Sequence, residues 1–257
     1  MIPTPQNRAK LQAKKEEERK SIKKISNTFI ESAIHNSSYQ ALKVVFFLSS
    51  VLEKIDLYEE FLTVRLNYED ALKFTGIGDK EFTRTLRAMQ EVSITFINEE
   101  EEWEEYVNLL PSIRRLYGKK QVEIKLFSKV ARLIVDVPKD IGGTILNVKE
   151  ICKLKSKHST RLLPILHMIN GFTPPTLKQK KYELHELNAI FGTKNRSLYE
   201  LESRILKEVQ HELNTTSKIG FTYELNMGYH GIAKGRPKAL SITITPVIRK
   251  YVQGELL

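Results

Sequence analysis

The sequence predicts an α+β protein, mainly helical, with two tandem winged-helix domains, and three observations lead to this fold class. Residues 182–192 and 195–214 have the spacing of a short and a longer amphipathic helix. Two strand-like runs follow, 219–226 and 238–245, joined by a basic, glycine-marked turn at 228–237. Helix, turn, helix and hairpin in this order describe a winged helix, and the first half of the chain repeats the order.

The first half is expected to open with an exposed helix over 8–24, because good helix formers fill it and an apolar face is missing. It is either a solubilising arm or a basic arm on DNA phosphates. Asp79 is a candidate N-cap for the expected helix at 80–90. The further expected elements are a buried helix at 42–57, a strand at 62–66, helices at 68–75 (ending at Gly76) and 80–90, and strands at 92–97, 103–109 and 121–127.

The expected wing of this first domain is the hairpin 92–109, whose tip at Glu99–Glu102 is acidic. An acidic tip argues against contact with DNA phosphates. We therefore expect the first domain to be a protein-interaction version of the fold.

Pro138 and the pair Gly142–Gly143 mark the expected domain boundary. We divide the chain into a basic N-terminal arm or helix at 1–24, a first winged-helix domain at 25–138 and a second, DNA-binding one at 139–257. The second is expected to open with a strand at 144–148, a helix at 149–154, a helix from a cap at Ser156 to Asn170 (bent by Pro164) and an exposed loop at 171–181.

The chain of 257 residues has a net charge of +10, and the surplus is uneven. Residues 139–257 hold 19 Lys and Arg against 10 Asp and Glu, whereas residues 1–138 hold 22 against 21. A basic half of this kind favours a polyanionic partner, nucleic acid first and an anionic membrane surface second.

The chain contains one cysteine, Cys152, so an intrachain disulfide is impossible. Apolar runs are shorter than the roughly 20 residues that cross a bilayer. The start of the chain lacks the apolar segment of a secretory signal. These features predict a soluble cytoplasmic protein without a membrane partner.

The predicted helix 195–214 carries an apolar stripe that must face the core, formed by Leu198, Leu201, Ile205, Leu206, Val209 and Leu213. At 100° per residue, the opposite face holds Arg196, Ser203, Lys207 and Asn214, flanked by Tyr199 and Gln210 on one side and by Arg204 and His211 on the other. Such side chains reach base edges and phosphates in a major groove. The alternative is an ordinary amphipathic helix with a solvated charged face. Glu200 on the same face could accept from cytosine or repel phosphate.

Neighbouring segments favour DNA binding over an ordinary amphipathic helix. The preceding helix, 182–191, supplies the first half of a helix-turn-helix. Lys194 and Arg196 lie at the expected helix start, where backbone N–H groups favour phosphate. Lys234, Arg236 and Lys238 lie at the tip of the expected wing. Lys153, Lys155, Lys157 and Arg161 form a further cluster, read either as a solvated face or as a phosphate clamp.

Several segments resemble the plasmid replication initiators of the iteron-binding Rep type. Residues 154–162, Leu-Lys-Ser-Lys-His-Ser-Thr-Arg-Leu, resemble that family's Lys-Ser-Lys-Tyr-Ser-x-Arg-Leu signature. Residues 183–192 resemble its x-Leu-x-Glu-Leu-Arg-x-x-Leu-Gly helix, residues 205–214 its recognition-helix tail, Gly235–Arg236 its wing, and residues 41–50 an apolar helix of its first domain. The similarity spans most of the chain in order and is densest at 144–245.

The resemblance implies two winged-helix domains, with origin repeats bound by the second and dimerisation through the first. It also implies monomers that open the origin, dimers that repress the initiator's own gene, and recruitment of the host initiator and the replicative helicase. This chain departs from the family pattern in three places. His158 replaces the usual Tyr, Pro164 replaces a helix former, and only Arg204 matches the Arg-rich run early in the recognition helix.

Enzymatic chemistry is not indicated, and no cofactor or metal is expected. A phosphate-binding Gly-x-x-x-x-Gly-Lys-Ser/Thr loop is missing, and the six histidines are well separated along the chain. We expect base contacts from Arg196, Ser203, Arg204 and Lys207, and phosphate contacts from Lys157, Arg161, Lys194, Lys234, Arg236 and Lys238. The competing interpretations are a tandem winged-helix transcriptional repressor of a palindromic operator and a DNA-nicking enzyme.

Overall fold

The computed structural model describes residues 21–36, 38–52, 59–98, 101–135, 137, 142–172, 174, 177–228 and 238–249. Its contacts divide the chain into two compact units. The first unit takes Met1–Phe29 and Lys43–Cys152, and the second takes Ile30–Leu42 and Lys153–Leu257. The mixed α+β class and the tandem winged-helix fold predicted from the sequence are both confirmed.

The elements up to residue 153 follow one another in chain order. They are β1 (Ile22–Ser26), α1 (Asn27–Asn36), α2 (Tyr39–Val51), β2 (Phe61–Asn67), α3 (Tyr68–Thr75), α4 (Asp79–Met89), β3 (Ser93–Asn98), β4 (Trp103–Asn108), β5 (Ser112–Leu116), a 3₁₀ turn (Tyr117–Lys119), β6 (Gln121–Phe127), α5 (Ser128–Val135), β7 (Gly143–Asn147) and α6 (Val148–Lys153).

The first unit is built around a three-stranded antiparallel sheet of order β2–β6–β5. Alternate residues of β2 and β6 are buried, as expected for strands with one face on the core. Phe82, Leu86 and Met89 of α4 are buried as well. Helix α3 ends at Gly76, as predicted, since that residue adopts a left-handed conformation with φ 67°.

The wing of this unit differs from the expected one. In the part of the chain that the structure describes, strands β3 and β4 form a two-stranded sheet of their own, whereas β5, which the sequence analysis missed, pairs with β6 in the main sheet. The hairpin in the wing position is therefore β5–β6, and its tip exposes Tyr117, Lys119 and Lys120. The acidic stretch belongs to the separate hairpin, with Glu99 and Glu100 outside the described residues.

Two local expectations for the first unit are wrong. Residues 22–24 belong to strand β1 and not to a helix, because β1 pairs residue by residue with β7. Asp79 is the first residue of α4 and does not cap it; the cap position is Gly78. The Asp79 carboxylate instead accepts from the Tyr68 hydroxyl and forms an ion pair with Arg115. Residues 8–20 of the predicted 8–24 helix and residues 53–57 of the 42–57 helix lie outside the described residues.

The division by contacts also differs from the boundary predicted at residue 138. Strand β7 and most of α6 lie in the first unit, because β7 pairs with β1. Space at Gly143 is limited, since a Cβ there would lie 2.8 Å from Lys24 Cε and 3.1 Å from Val137 Cγ1. The Gly142–Gly143 pair thus marks a close approach of two strands.

The second unit contains α7 (Lys157–Asn170), β8 (Lys180–Tyr182), α8 (Leu184–Phe191), the composite helix α9, β9 (Ile219–Gly228) and β10 (Lys238–Ile248). Helix α9 begins as an α-helix at Leu198–Leu201, passes through a π-helical turn at Glu202–Leu206 and continues as an α-helix over Lys207–Thr216. The sheet order is β8–β10–β9, the same winged-helix arrangement as in the first unit. Helix α7 is capped by Ser156, as predicted, and runs through Pro164.

Candidate nucleic-acid interface

Helices α8 and α9 form the helix-turn-helix of the second unit, and Asn188 organises the turn between them. Its Oδ1 accepts from the Thr193 hydroxyl and from the Asn195 backbone N–H, both at 2.9 Å. Its Nδ2 donates to the Asn195 carbonyl at 2.9 Å. Gly192 ends α8 in a left-handed conformation with φ 64°. The turn is therefore held by one amide side chain that sequence reasoning did not single out.

Helix α9 begins at Leu198, three residues later than predicted, because Ser197 caps it. The Ser197 hydroxyl accepts from the Glu200 N–H at 3.2 Å. The Glu200 carboxylate accepts from the Arg196 N–H at 2.7 Å, and Asn188 takes the Asn195 N–H. The backbone N–H groups of residues 195 and 196, expected to receive phosphate, are thus already bonded within the protein.

The apolar stripe of α9 is buried as predicted. The helix widens into the π-helical turn where two stripe residues, Ile205 and Leu206, are adjacent in sequence. Ile205 and Leu206 are both buried, at 5% and 0% exposure. The Lys207 N–H donates to the Glu202 carbonyl, five residues back, which is the π-helical spacing. The Ser203 hydroxyl donates to the Glu200 carbonyl at 3.1 Å. A uniform rotation of 100° per residue therefore does not describe this helix.

The exposed face of α9 presents the predicted cations. Arg204 is 70% exposed and pairs with Glu200 at 2.7 Å, and Lys207 is 65% exposed with Glu202 at 3.9 Å. Ser203, Lys194 and Arg196 are also exposed. Because Glu200 bonds to Arg204 and to the Arg196 N–H, its carboxylate neutralises a protein cation and is engaged in helix capping.

Two residues that were expected at or beside the exposed face support the fold instead. The Asn214 side chain bonds to both backbone groups of Phe221, accepting from its N–H at 2.9 Å and donating to its carbonyl at 3.2 Å. Gln210 Nε2 donates to the same carbonyl at 3.1 Å. Placing Asn214 opposite the core was wrong, because the π turn rotates the second half of α9 and brings these amides against β9.

The basic segment before α7 is attached to α9 through Glu212. This carboxylate accepts from the Lys155 N–H at 2.8 Å and from the Ser156 N–H at 3.2 Å. The side chains of Lys153, Lys155 and Lys157 are exposed. A basic cluster therefore lies beside the second half of α9.

Arg161, by contrast, is half-buried and bonded to protein. Its Nη1 donates to the Ile190 carbonyl at 3.0 Å and to the Ile34 carbonyl at 3.2 Å. Burial lowers the pKa of its guanidinium. The residue ties the end of α8 to α1, and its Nη1 lies 3.1 Å from where a Cβ at Gly192 would be.

His158 lies edge-on against Phe191, with ring centroids 5.4 Å apart. Burial, with Lys157 and Arg161 nearby, lowers the pKa of His158 from 6.5 to about 4, so the ring is neutral at physiological pH. The neutral His158 ring therefore packs against Phe191 beside the basic cluster.

Lys238 at the base of the wing borders an open groove of about 970 Å³. The groove is also lined by the starts of α8 and α9, with Lys181, His185, Arg196 and Tyr199 contributing. Among the described residues that line it, Glu183 is the acidic one. Lys234 and Arg236, predicted at the wing tip, lie outside the described residues.

In the described part of the chain, no three His, Cys, Asp or Glu side chains are grouped so that they could hold a metal ion. Across the same residues, the helices are all too short or too polar to cross a membrane. Cys152 is buried, and burial raises the pKa of its thiol to about 12.

Comparison with known proteins places the chain in a family context. A family model described as "Initiator Replication protein, WH1" matches residues 22–167. The crystal structure of the Pi initiator protein in complex with iteron DNA is similar, with a TM-score of 0.67 and 12% identity, over 90% of this chain and 99% of that chain. A structure of domains 2 and 3 of RctB has a TM-score of 0.40 and 11% identity, over 88% and 86%, too low to support an inference. The search of curated proteins produced no match.

Proposed function

This chain belongs to the Initiator Replication protein family, and we propose that it initiates plasmid replication by binding directly repeated origin DNA, the iterons, sequence-specifically. The observation that carries the proposal is the exposed cationic face of α9 in the second winged-helix unit. A helix-turn-helix places such a helix in the major groove, where side chains reach base edges. The Pi initiator, which shares the fold, was crystallised in complex with iteron DNA.

In this proposal Arg196, Ser203, Arg204 and Lys207 contact bases. Lys157, Lys194 and Lys238 contact phosphates, together with Lys234 and Arg236. Exposed side chains on one helix and its neighbouring segments support this division. Arg161 takes a structural role in this proposal, since its described bonds go to the carbonyl oxygens of Ile34 and Ile190 and hold α7 against α8 and α1.

The proposal includes the steps that follow binding. Repeated copies on the origin would use binding energy to bend and open DNA, and would recruit the host initiator and the replicative helicase. A homodimer formed through the first unit would repress the initiator's own gene. None of these steps requires catalysis by the chain itself, so we propose a DNA-binding protein and not an enzyme.

A footprint of the purified protein on the DNA upstream of its own gene, at two salt concentrations, tests the proposal. Protection of several evenly spaced direct repeats is the expected result. Protection of one inverted repeat would indicate a repressor instead. Protection without sequence preference, vanishing at the higher salt, would leave only non-specific binding and would refute the initiator function.

A further inference from the structure

The π turn in α9 changes which side chains share a face of the helix. In a regular α-helix, residues four apart differ by about 40°, so positions 199 and 211 would lie about 120° apart. One extra residue in a turn withdraws about 100° of rotation, which brings these two positions within about 20°. Tyr199, Ser203, Lys207 and His211 then form one row parallel to the helix axis, here called the α9 row.

Burial supports this alignment. All four members of the α9 row are exposed, and Tyr199 retains 48% of its surface. The residues on the opposite side, Leu201, Ile205 and Val209, are buried at 0%, 5% and 0%. The adjacent pair Ile205–Leu206 can be buried together because the widened turn holds one extra residue.

We infer that the π turn of α9 aligns the α9 row for base reading, and that Tyr199 and His211 are therefore base-contacting residues. This inference rests on the proposed function. The row carries complementary groups: an ammonium for guanine, a hydroxyl for several bases, an imidazole for a donor or acceptor, and an aromatic ring for a thymine methyl. Glu200 and Glu202 flank the row, but both are bonded to other protein groups. π turns occur frequently at functional sites.

Alanine variants of Tyr199 and His211, the two members that a regular helix would place far apart, test the inference. The wild type and the variants are compared on a footprinted repeat and on a scrambled repeat of equal length, with circular dichroism as the check on folding.

A wild-type chain that prefers the repeat, with both variants keeping that preference, would overturn the inference while leaving the proposed function intact. If the wild-type chain itself does not distinguish the repeat from scrambled DNA, the proposed function and the inference both fail.

Tyr199→Ala and His211→Ala change exposed side chains, and each should lower the ratio of repeat to scrambled affinity about fivefold or more. Thr222→Ala, an exposed change on β9 away from the row, is the control. If both variants keep the ratio of the control, or lose affinity equally on the two DNAs, base reading by Tyr199 and His211 is excluded.

Discussion

At the scale of single residues, Arg161 and Lys207 show that a sequence pattern can identify a basic residue without telling whether its side chain supports the fold or is free to contact DNA. Both are cations within family-like segments, yet one donates to two backbone carbonyls and the other is exposed on α9. The buried stripe of α9 could be predicted because apolar spacing alone encodes it. The roles of Asn188 and Glu212 could not, because the partners of an amide or a carboxylate depend on the folded chain. Lys155 is 57 residues from Glu212 in sequence.

Lys207→Ala should weaken specific DNA binding by about 1–3 kcal/mol if the ammonium pairs with a base, or lower the salt slope by about 1 if it contacts a phosphate. The side chain is exposed, so folding should be unaffected. Fluorescence anisotropy on the repeat at several salt concentrations measures both quantities. Lys218→Ala removes the same charge from an exposed site beyond α9 and should change neither. Unchanged affinity and slope for Lys207→Ala would contradict the assignment.

His158 should make stability depend on pH. Its pKa is lowered to about 4 in the folded chain, so the unfolded chain binds the proton more tightly. Stability contributed by the neutral ring is complete above pH about 6.5 and is lost as pH falls from 6.5 towards 4. Urea unfolding at pH 7.5 and 5.0 should show a larger loss for the wild type than for His158→Phe. Equal losses in the two proteins would show that this ring does not titrate as described.

At the scale of elements, helices and strands with a strong apolar periodicity were predicted well, whereas elements with a weak periodicity were missed. The strands β9 and β10, the cap at Ser156 and the end of α3 at Gly76 lie where expected. Strand β5 was missed because its five residues include two arginines and alternate poorly. The π turn could not be inferred from a fixed 100° rotation, although the adjacent apolar pair Ile205–Leu206 is a signal for it.

The contact between α9 and β9 gives a prediction at this scale. A Cβ at Gly220 would lie 1.9 Å from Asn214 Oδ1 and 3.3 Å from Asn214 Cα. Gly220→Ala should therefore displace the Asn214 amide from Phe221 and lower the free energy of unfolding by about 1–3 kcal/mol. Urea denaturation measures the change. Gly118→Ala, where a Cβ meets nothing within 4 Å, is the control.

A double-variant cycle identifies the cause of that loss. In an Asn214→Ala background the obstructing amide is absent, so Gly220→Ala should cost much less than in the wild type. An equal cost in both backgrounds would show that Gly220 matters for a reason other than the close approach of Asn214.

At the scale of the whole molecule, the sequence indicated two winged helices but placed their boundary differently. Composition suggested a linker near 138–143, whereas the pairing of β1 with β7 keeps this region in the first unit. Conversely, residues 30–42 come from the first half of the chain but belong to the second unit. Ile30, Ile34 and Leu42 of this segment are buried. Local composition cannot reveal that a domain takes a segment from the opposite half of the chain.

A fragment of residues 139–257 should therefore be unstable. It lacks three buried aliphatic side chains, each worth about 1.5–3 kcal/mol, and the Ile34 carbonyl that accepts from Arg161. A fragment with residues 27–42 joined by a Gly/Ser linker to residues 153–257 should unfold cooperatively at a higher urea concentration. If the shorter fragment matches it, residues 30–42 are dispensable for the second unit.

The most direct test of the central claim, that the second unit reads repeated DNA through α9, is the specificity ratio of an Arg196→Ala/Lys207→Ala variant. Binding of the wild type and the variant to one protected repeat and to a scrambled repeat is measured at the same salt concentration. The account predicts that the wild type prefers the repeat by at least about a thousandfold and that the variant loses most of this preference while remaining folded. A variant that keeps the full preference would contradict it.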